Sequence, residues 1–405
     1  MGSEPRIVVR GSTPGQGRAG ETAIDLLLDD RQISTCEIIP LTIRVGAATV
    51  RMDGIGGVST LEEHRRRGYS RRVLSAAVAH MAAGDAALTT LYGIPNFYPK
   101  FGYTTAGPQY LITMPPRVPA PPLPPGWSSR PVAPADVAAC QALYQNEITH
   151  AVAAVPRQPD GYPWTELHRL AQGNRPGACR LLFDPAGKLA GYAWDNTGFW
   201  FVRTLMDEYR HSFVLAEAVA RDSAAADALL SLCHQWAADE AVRRGQPVHS
   251  VILATPPHVP LAAAARQGTA SLEQHYSADG EFMARTLHVG RLLRQLAPEL
   301  ALRLRAALPT AHETLCLETD LGSATLHISP DGLSVDDDLT ASPPGVAAHL
   351  TVRLPQTALV RLALGAFPPG DLLSRLAEPP TGSARDLLEV LFPPRYPHIY
   401  LPDRF

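Results

Sequence analysis

No run of about 18 apolar residues occurs anywhere in this 405-residue chain, so no segment reads as a membrane-spanning helix. Lysine is almost missing: Lys100 and Lys188 stand alone, and every other one of the 36 Lys and Arg residues is arginine. With abundant alanine and proline, this is the bias of a GC-rich genome. Strong charge of either sign is also lacking. A net charge of -3 argues against bulk nucleic-acid binding. The five cysteines (Cys36, Cys140, Cys179, Cys233, Cys316) are scattered without a CxxC pair, which fits neither a disulfide framework nor a zinc site. The 14 histidines show no HxxxH or HExxH spacing, so no metal is expected. The opening residues, Met1-Gly-Ser-Glu-Pro5, lack the apolar centre of a signal peptide, and the cytoplasm is the expected compartment.

What is present is a length that calls for two or three domains, and 45% hydrophobic against 19% charged residues, as in a soluble globular protein. The most informative stretch runs from Gly56 to Ser70. A β-prone run, Val58 to Leu61, meets the basic turn Arg65-Arg66-Arg67-Gly68, and a helix follows with Val73, Leu74, Ala77, Val78 and Met81 on one face. First-turn N–H groups of a helix lack internal partners and carry partial positive charge. A glycine lets the backbone approach an oxyanion, and arginines add formal charge. The stretch therefore reads as a pyrophosphate cradle; the competing reading is a solvated arginine run.

Upstream, Arg6 to Arg10 reads as a strand, followed by a loop containing Gly11, Gly15, Gly17 and Gly20. Glu21 to Asp30 reads as a helix with Ala23, Ile24, Leu27 and Leu28 inward, and Glu37 to Ile43 and Ala47 to Met52 as strands. Ala87 to Tyr92 is a strand, Asn96 to Phe101 a helical turn stopped by Gly102, and Tyr103 to Met114 a further strand. Residues 115–126 are proline-rich and read as a stiff polyproline spacer. From Trp127 a second α/β region repeats the order strand, long helix, strand at Phe213 to Ala254. Where the arginine–glycine turn would fall, it has Val219-Ala-Arg-Asp-Ser223 instead, and a carboxylate there repels phosphate. After about residue 286 come an amphipathic helix at Leu287 to Leu308, and antiparallel strands at Glu313 to Asp320, Ser323 to Ser329 and His349 to Leu354. Three helices and the prolyl, aromatic tail ending at Phe405 complete the chain.

These residues resemble the GCN5-related N-acetyltransferases (GNAT). The family signature Gln/Arg-x-x-Gly-x-Gly/Ala after a central strand is matched by Arg65-Arg66-Arg67-Gly68-Tyr69-Ser70. An aromatic-Tyr-x-x-x-Gly-aromatic turn after the next strand is matched by Phe97-Tyr98-Pro99-Lys100-Phe101-Gly102-Tyr103. The whole-chain pattern is similar to the enhanced-intracellular-survival (Eis) type. That resemblance implies an α/β (α+β) fold with two tandem GNAT-like domains, the second degenerate, and a sterol-carrier-like α+β domain. The boundaries it implies are a catalytic domain at 1–114, a linker at 115–126, a degenerate copy at 127–285, and a last domain at 286–405 whose tail reaches the active site. Three departures stand out: a short segment before Gly56, Gly93 where a cofactor-contacting Ser is expected, and Arg404 where an acidic residue would hold a polycationic acceptor.

The resemblance implies acetyl-CoA as cosubstrate, bound by Val58, Ser59, Thr60, Arg65, Arg66, Arg67, Gly68, Tyr69 and Ser70. The strand before the turn is bulged in this superfamily, so that backbone at Val58 and Thr60 is freed for the pantetheine and the thioester carbonyl; such oxyanion donors are worth about 3–4 kcal/mol. Tyr98 matches the general acid, because a phenol stays protonated at neutral pH and can donate to a thiolate. Tyr103 is the second choice. By the same resemblance, the terminal carboxylate of Phe405 is the candidate base, while Glu62, Glu63 and His64 face solvent or buttress the loop. The expected reaction is acetyl transfer to a primary amine of a small molecule, with polyamines and aminoglycosides as candidates. The alternatives are a protein or peptide acceptor, or a non-catalytic lipid-binding scaffold. Hexamers are implied by the branch.

Overall fold

The computed structural model describes residues 4–11, 20–196, 211–337 and 350–405. The glycine-rich loop with Gly15 and Gly17, and His349 at the start of an expected strand, lie outside the described residues. In chain order the N-terminal elements are β1 (Arg6–Gly11), β2 (Thr22–Leu28), β3 (Arg31–Val45), β4 (Ala48–Thr60), α1 (Tyr69–Ala83), β5 (Leu88–Gly93), β6 (Thr104–Thr105) and β7 (Gln109–Met114). The middle comprises β8 (Ser128–Pro131), α2 (Val137–Glu147), α3 (Trp164–Arg169), β9 (Cys179–Phe183), β10 (Leu189–Asp195), β11 (Ser212–Ala220), α4 (Ser223–Arg244), β12 (Ser250–Leu253), α5 (Pro260–Ala265) and β13 (Ser271–His275). Then follow β14 (Glu281–Thr286), α6 (Val289–Ala307), β15 (Glu313–Thr319), β16 (Gly322–Ser329), β17 (Gly332–Asp337), β18 (Leu350–Arg353), α7 (Gln356–Leu364), α8 (Pro369–Leu373) and α9 (Gly382–Leu391).

The chain forms two compact units. One holds the residues up to Pro108, Tyr276–Pro397 and Phe405; the other holds Gln109–His275 and His398–Arg404. The first contains a seven-stranded sheet in the order β1-β2-β3-β4-β5-β14-β6, and the second a seven-stranded sheet that runs β8-β9-β10-β11-β12-β7-β13. The orders correspond strand for strand, with a parallel pair, β4–β5 or β11–β12, in the middle of each. Sheet membership does not follow the linear boundaries expected at 114 and 285. Gln109–Met114 pairs with β12 and β13, and Glu281–Thr286 pairs with β5 and β6. A strand's alternation determines which face is buried but does not choose its edge partner, so an exchange of this kind leaves no mark in the pattern.

In the first unit, α1 buries Val73, Leu74, Ala77 and Met81 against Ile24, Leu26, Ile55 and Leu91. Each large aliphatic side chain removed from water in this way contributes about 1.5–3 kcal/mol. Glu21 to Asp30, expected as a helix, is strand β2. Ile24, Asp25 and Leu26 are all buried, and a short apolar run of this length fits either state until neighbouring strands claim it. The third sheet, β17-β16-β15-β18, belongs to the same unit. It includes β17, which the sequence reading omits, and β18 runs parallel to β15 where antiparallel pairing is expected. Helix α6 ties this region to the β3–β4 hairpin, since Glu299 and Gln295 accept from the amides of Ala47 and Arg51 at 2.8 Å each.

In the second unit, residues 132–178 between β8 and β9 include α2 and α3, whereas only residues 12–21 separate β1 and β2. The proline-rich segment is no free spacer: Leu123 and Trp127 pack on the core and the Pro121 carbonyl accepts from Gln235 at 2.8 Å. The segment His398–Arg404 is also built in. The His398 amide bonds to the Val152 carbonyl at 2.9 Å, Leu401 packs among Ala216, Ile252 and Ala254, and Tyr400 meets Tyr144 edge-on at 5.6 Å. Fully buried Arg157 joins Asp403 and Glu217, stacks on Tyr144, and Tyr192 donates to Glu217 at 2.6 Å.

Candidate active site

The pairing of β4 with β5 runs from Met52–Leu88 to Ile55–Leu91 and stops there. On its other side β4 is bulged. Between the pairs Thr35–Ser59 and Glu37–Gly56, β4 advances three residues while β3 advances two. Gly57, with φ of +57°, sits in this bulge. The Leu61 amide bonds to the Ile33 carbonyl at 2.9 Å, and antiparallel alternation then directs the backbone groups of Val58 and Thr60 away from β3, into the opening between β4 and β5. Ser59 is exposed and its carbonyl accepts from the Ser34 hydroxyl at 2.9 Å.

The basic turn follows. Thr60 Oγ1 bonds to Ser70 Oγ at 2.7 Å and to Ser34 Oγ at 2.8 Å, which fastens the strand end to the first turn of α1. Gly68 is the N-cap of α1 with φ of +80°; among the described residues no side chain caps the helix, and nothing lies within 4 Å of a Cβ placed at Gly68. Open space over uncapped amides is what an anion requires. Arg65, Arg66 and Arg67 are exposed; Arg65 Nε also donates to the Thr60 carbonyl at 3.3 Å. Tyr69 is half-buried against the core under α1. Glu63 pairs with Arg31 at 2.9 Å, so it buttresses the loop, and Glu62 is exposed.

Tyr98 opens a short 3-10 turn, Tyr98–Phe101, that Gly102 closes with φ of +79°. Its ring is buried, edge-on to Phe97 at 5.0 Å and to Tyr103 at 6.1 Å. Burial, with a smaller contribution from Cys36, pushes the phenol up to about 12, so it remains a proton donor. Among the described residues its hydroxyl has no hydrogen-bond partner. Tyr103, the second choice, is fully buried with its hydroxyl bonded to Thr89 at 3.0 Å, as a core aromatic would be. Gly93 has a steric reason: a Cβ there would lie 2.5 Å from Tyr98 Cδ2. A serine at this position and the observed Tyr98 ring cannot coexist.

Phe405 lies on β4. Its ring occupies the space a Cβ of Gly54 would need, and its carboxyl carbon is 3.5 Å from where a Gly56 Cβ would be. Gly54 and Gly56 alternate with Ile55, which faces α1, so the terminal residue is on the face away from α1. Gly93 has the parity of Leu91, which faces α1, so Tyr98 approaches from the helix side. Glu37, opposite Gly56, brings its carboxylate to 3.0 Å from the Cβ position of Gly57. Gly54 and Glu37 are residues the sequence reading gave no part in the site, and Gly56 and Gly57 entered it only as the start of the informative stretch. Glycine repeated inside a strand was the available signal, since it marks a bulge or a close approach. Arg404, the third departure, is buried in the second unit and donates to the Ile399 carbonyl at 2.9 Å.

Among the described residues no group of three His, Cys, Asp or Glu side chains is placed to hold a metal ion. Residues 21–106 match the family described as acetyltransferase (GNAT) domain. The chain therefore carries a GNAT acetyltransferase domain and is an N-acetyltransferase that uses acetyl-CoA. Among solved structures, a GCN5-related N-acetyltransferase from Anabaena variabilis is similar with a TM-score of 0.69 and 17% identity, over 95% of this chain and 89% of that one. One from Kribbella flavida gives 0.65 and 16%, over 95% and 88%. Eis1 from Mycobacterium abscessus gives 0.58 and 17%, over 96% and 91%, which extends the likeness of fold to the Eis type. No curated protein matches the sequence.

Proposed function

We propose that the enzyme acetylates a primary amine of a small, cationic molecule, of the polyamine or aminoglycoside kind. Arg65 to Gly68 and the first turn of α1 with Tyr69 and Ser70 hold the pyrophosphate of acetyl-CoA; the backbone of Val58 to Thr60 faces the pantetheine arm. The thioester supplies the acetyl group. Tyr98 donates the proton that the departing thiolate takes up, and the terminal carboxylate of Phe405 accepts the proton that the attacking ammonium must lose. The observation that supports this reading is that Tyr98 packs at Gly93 of β5 on the α1 side of the sheet and Phe405 packs at Gly54 and Gly56 of β4 on the other side, on the two strands that part after Ile55–Leu91. Glu37, on the Phe405 face, adds a second carboxylate that favours a cationic acceptor.

The wider reading follows the same resemblance. By that resemblance the chain is read as a catalytic domain at 1–114, a linker at 115–126, a degenerate copy at 127–285 and a sterol-carrier-like domain at 286–405, although strand β7 pairs in the second sheet and β14 in the first. The enzyme works in the cytoplasm as a hexamer. The deciding experiment is coenzyme A release with polyamines, aminoglycosides and lysine peptides as acceptors, for the full chain and for a chain lacking Phe405. Turnover with small polyamines that the truncation abolishes is the expected result. Turnover confined to peptides, or full activity of the truncated chain, overturns the reading.

A further inference from the structure

Nothing polar among the described residues holds the Tyr98 hydroxyl, so the direction of the phenol is set by the packing of its ring on Phe97 and Tyr103 and by the backbone of its turn. That turn is gripped from outside. Gln356, the first residue of α7 and about 250 positions further along the chain, is 3% exposed. Its Nε2 donates to the Gly102 carbonyl at 2.6 Å, and its Oε1 accepts from the Thr286 amide at 2.9 Å. Its own amide donates to Asp320 Oδ1 at 2.6 Å, and its carbonyl accepts from Thr286 Oγ1 at 3.3 Å. The Arg285 guanidinium donates to the neighbouring Phe101 carbonyl. Both donors crowd Gly102, where a Cβ would lie 2.7 Å from Arg285 Nη1 and 3.2 Å from Gln356 Nε2. Glycine is therefore needed at 102 twice over, for its positive φ and for this clearance.

We propose that Gln356 is a positioning residue for the general acid, fixing Tyr98 through Gly102. This rests on the assignment of Tyr98 as the acid. A carboxamide serves both bonds at any pH, because one end donates to Gly102 and the other accepts from Thr286. An ionised carboxylate accepts only, and would face the Gly102 carbonyl with negative charge. The same side chain gives the C-terminal region a part in the chemistry of the N-terminal motif.

The test is a double-mutant cycle on the full chain with acetyl-CoA and the best acceptor amine. Gln356→Leu is expected to lower kcat about tenfold, with the KM for acetyl-CoA unchanged within about twofold. In the Tyr98→Phe background, the same substitution is expected to change kcat by less than about twofold, because the group it positions is gone. Gln356→Glu adds a pH signature. Its kcat relative to the unsubstituted enzyme rises as pH falls, because the protonated acid regains a donor toward Gly102. A tenfold loss that persists undiminished in the Tyr98→Phe background overturns the proposal while leaving Tyr98 as the acid. An unaltered kcat for Tyr98→Phe alone removes the acid, and the proposal with it. If Gln356→Leu fails to fold, the Gln356→Glu series carries the same cycle, and a flat ratio across pH overturns it.

Discussion

The two seven-stranded sheets share strand order, a parallel central pair and a bulge at the end of that pairing, yet one is open where the other is filled. In the first, β4 and β5 part after Ile55–Leu91, and the helix beyond begins at Gly68 with free amides. In the second, β11 and β12 part after Leu215–Leu253, and β11 also bulges, between Leu215 and Glu217. There Leu401 packs against Ala216, Ile252 and Ala254, and Arg157, Glu217 and Asp403 form a buried ionic cluster. The helix beyond is capped by Asp222, which accepts from the Ala225 amide at 2.9 Å. A duplicated architecture thus preserves the parting of the central strands, and side-chain chemistry decides what stands there: Leu401 among Ala216, Ile252 and Ala254 in the second half, Phe405 against Gly54 and Gly56 in the first.

The largest expected contrast is catalytic. Tyr98→Phe should reduce kcat by on the order of 10²–10⁴ with little change in acetyl-CoA affinity, measured by coenzyme A release and calorimetry. Because the phenol stays protonated up to about 12, no descending limb from it should appear in the pH–rate profile below pH 10. Such a limb lost in Tyr98→Phe would contradict the assignment.

Next is stability in the filled half. Arg157→Met removes the buried guanidinium that joins Glu217 and Asp403, and should cost about 3–5 kcal/mol in thermal or denaturant unfolding. A cost below about 1 kcal/mol would show that the cluster tolerates its loss. Converting the second half toward the first is expected to fail: Asp222→Gly removes the repulsive cap but not Leu401, so calorimetry should still find one acetyl-CoA per chain. Two sites would mean that the cap alone separates the halves.

Arg66→Ala should weaken acetyl-CoA binding by several-fold at low salt, with the difference shrinking as ionic strength rises. The smallest effect concerns pH. Burial, followed by nearby Glu217, raises Glu147 to about 7. Between the ordinary value of 4.5 and 7 the folded chain then binds more protons than the unfolded one, so this group's contribution is intact below 4.5 and is lost as pH rises through 7. Glu147→Gln should therefore gain a few degrees of Tm relative to the unsubstituted protein between pH 5 and pH 8, read by thermal unfolding at each pH.

By itself, the sequence determined the local chemistry of the site. Arg65 to Gly68 before an amphipathic helix, and Tyr98 before a glycine stop, are short-range patterns whose geometry follows from helix termini and turn rules. It also determined the contrast at Asp222, because an N-cap carboxylate is legible beside a helix start. The tertiary structure alone decided the rest. The exchange of β7 and β14 is silent in sequence, since ladder bonds do not depend on side-chain identity. Residues 21–30 were drawn into a strand by partners on both sides. The slot for Phe405 needs Gly54 and Gly56 to meet a residue some 350 positions away, and the Gly102–Gln356 bond spans about 250. Such contacts are stabilised by burial that only the assembled fold supplies, and no local pattern encodes them.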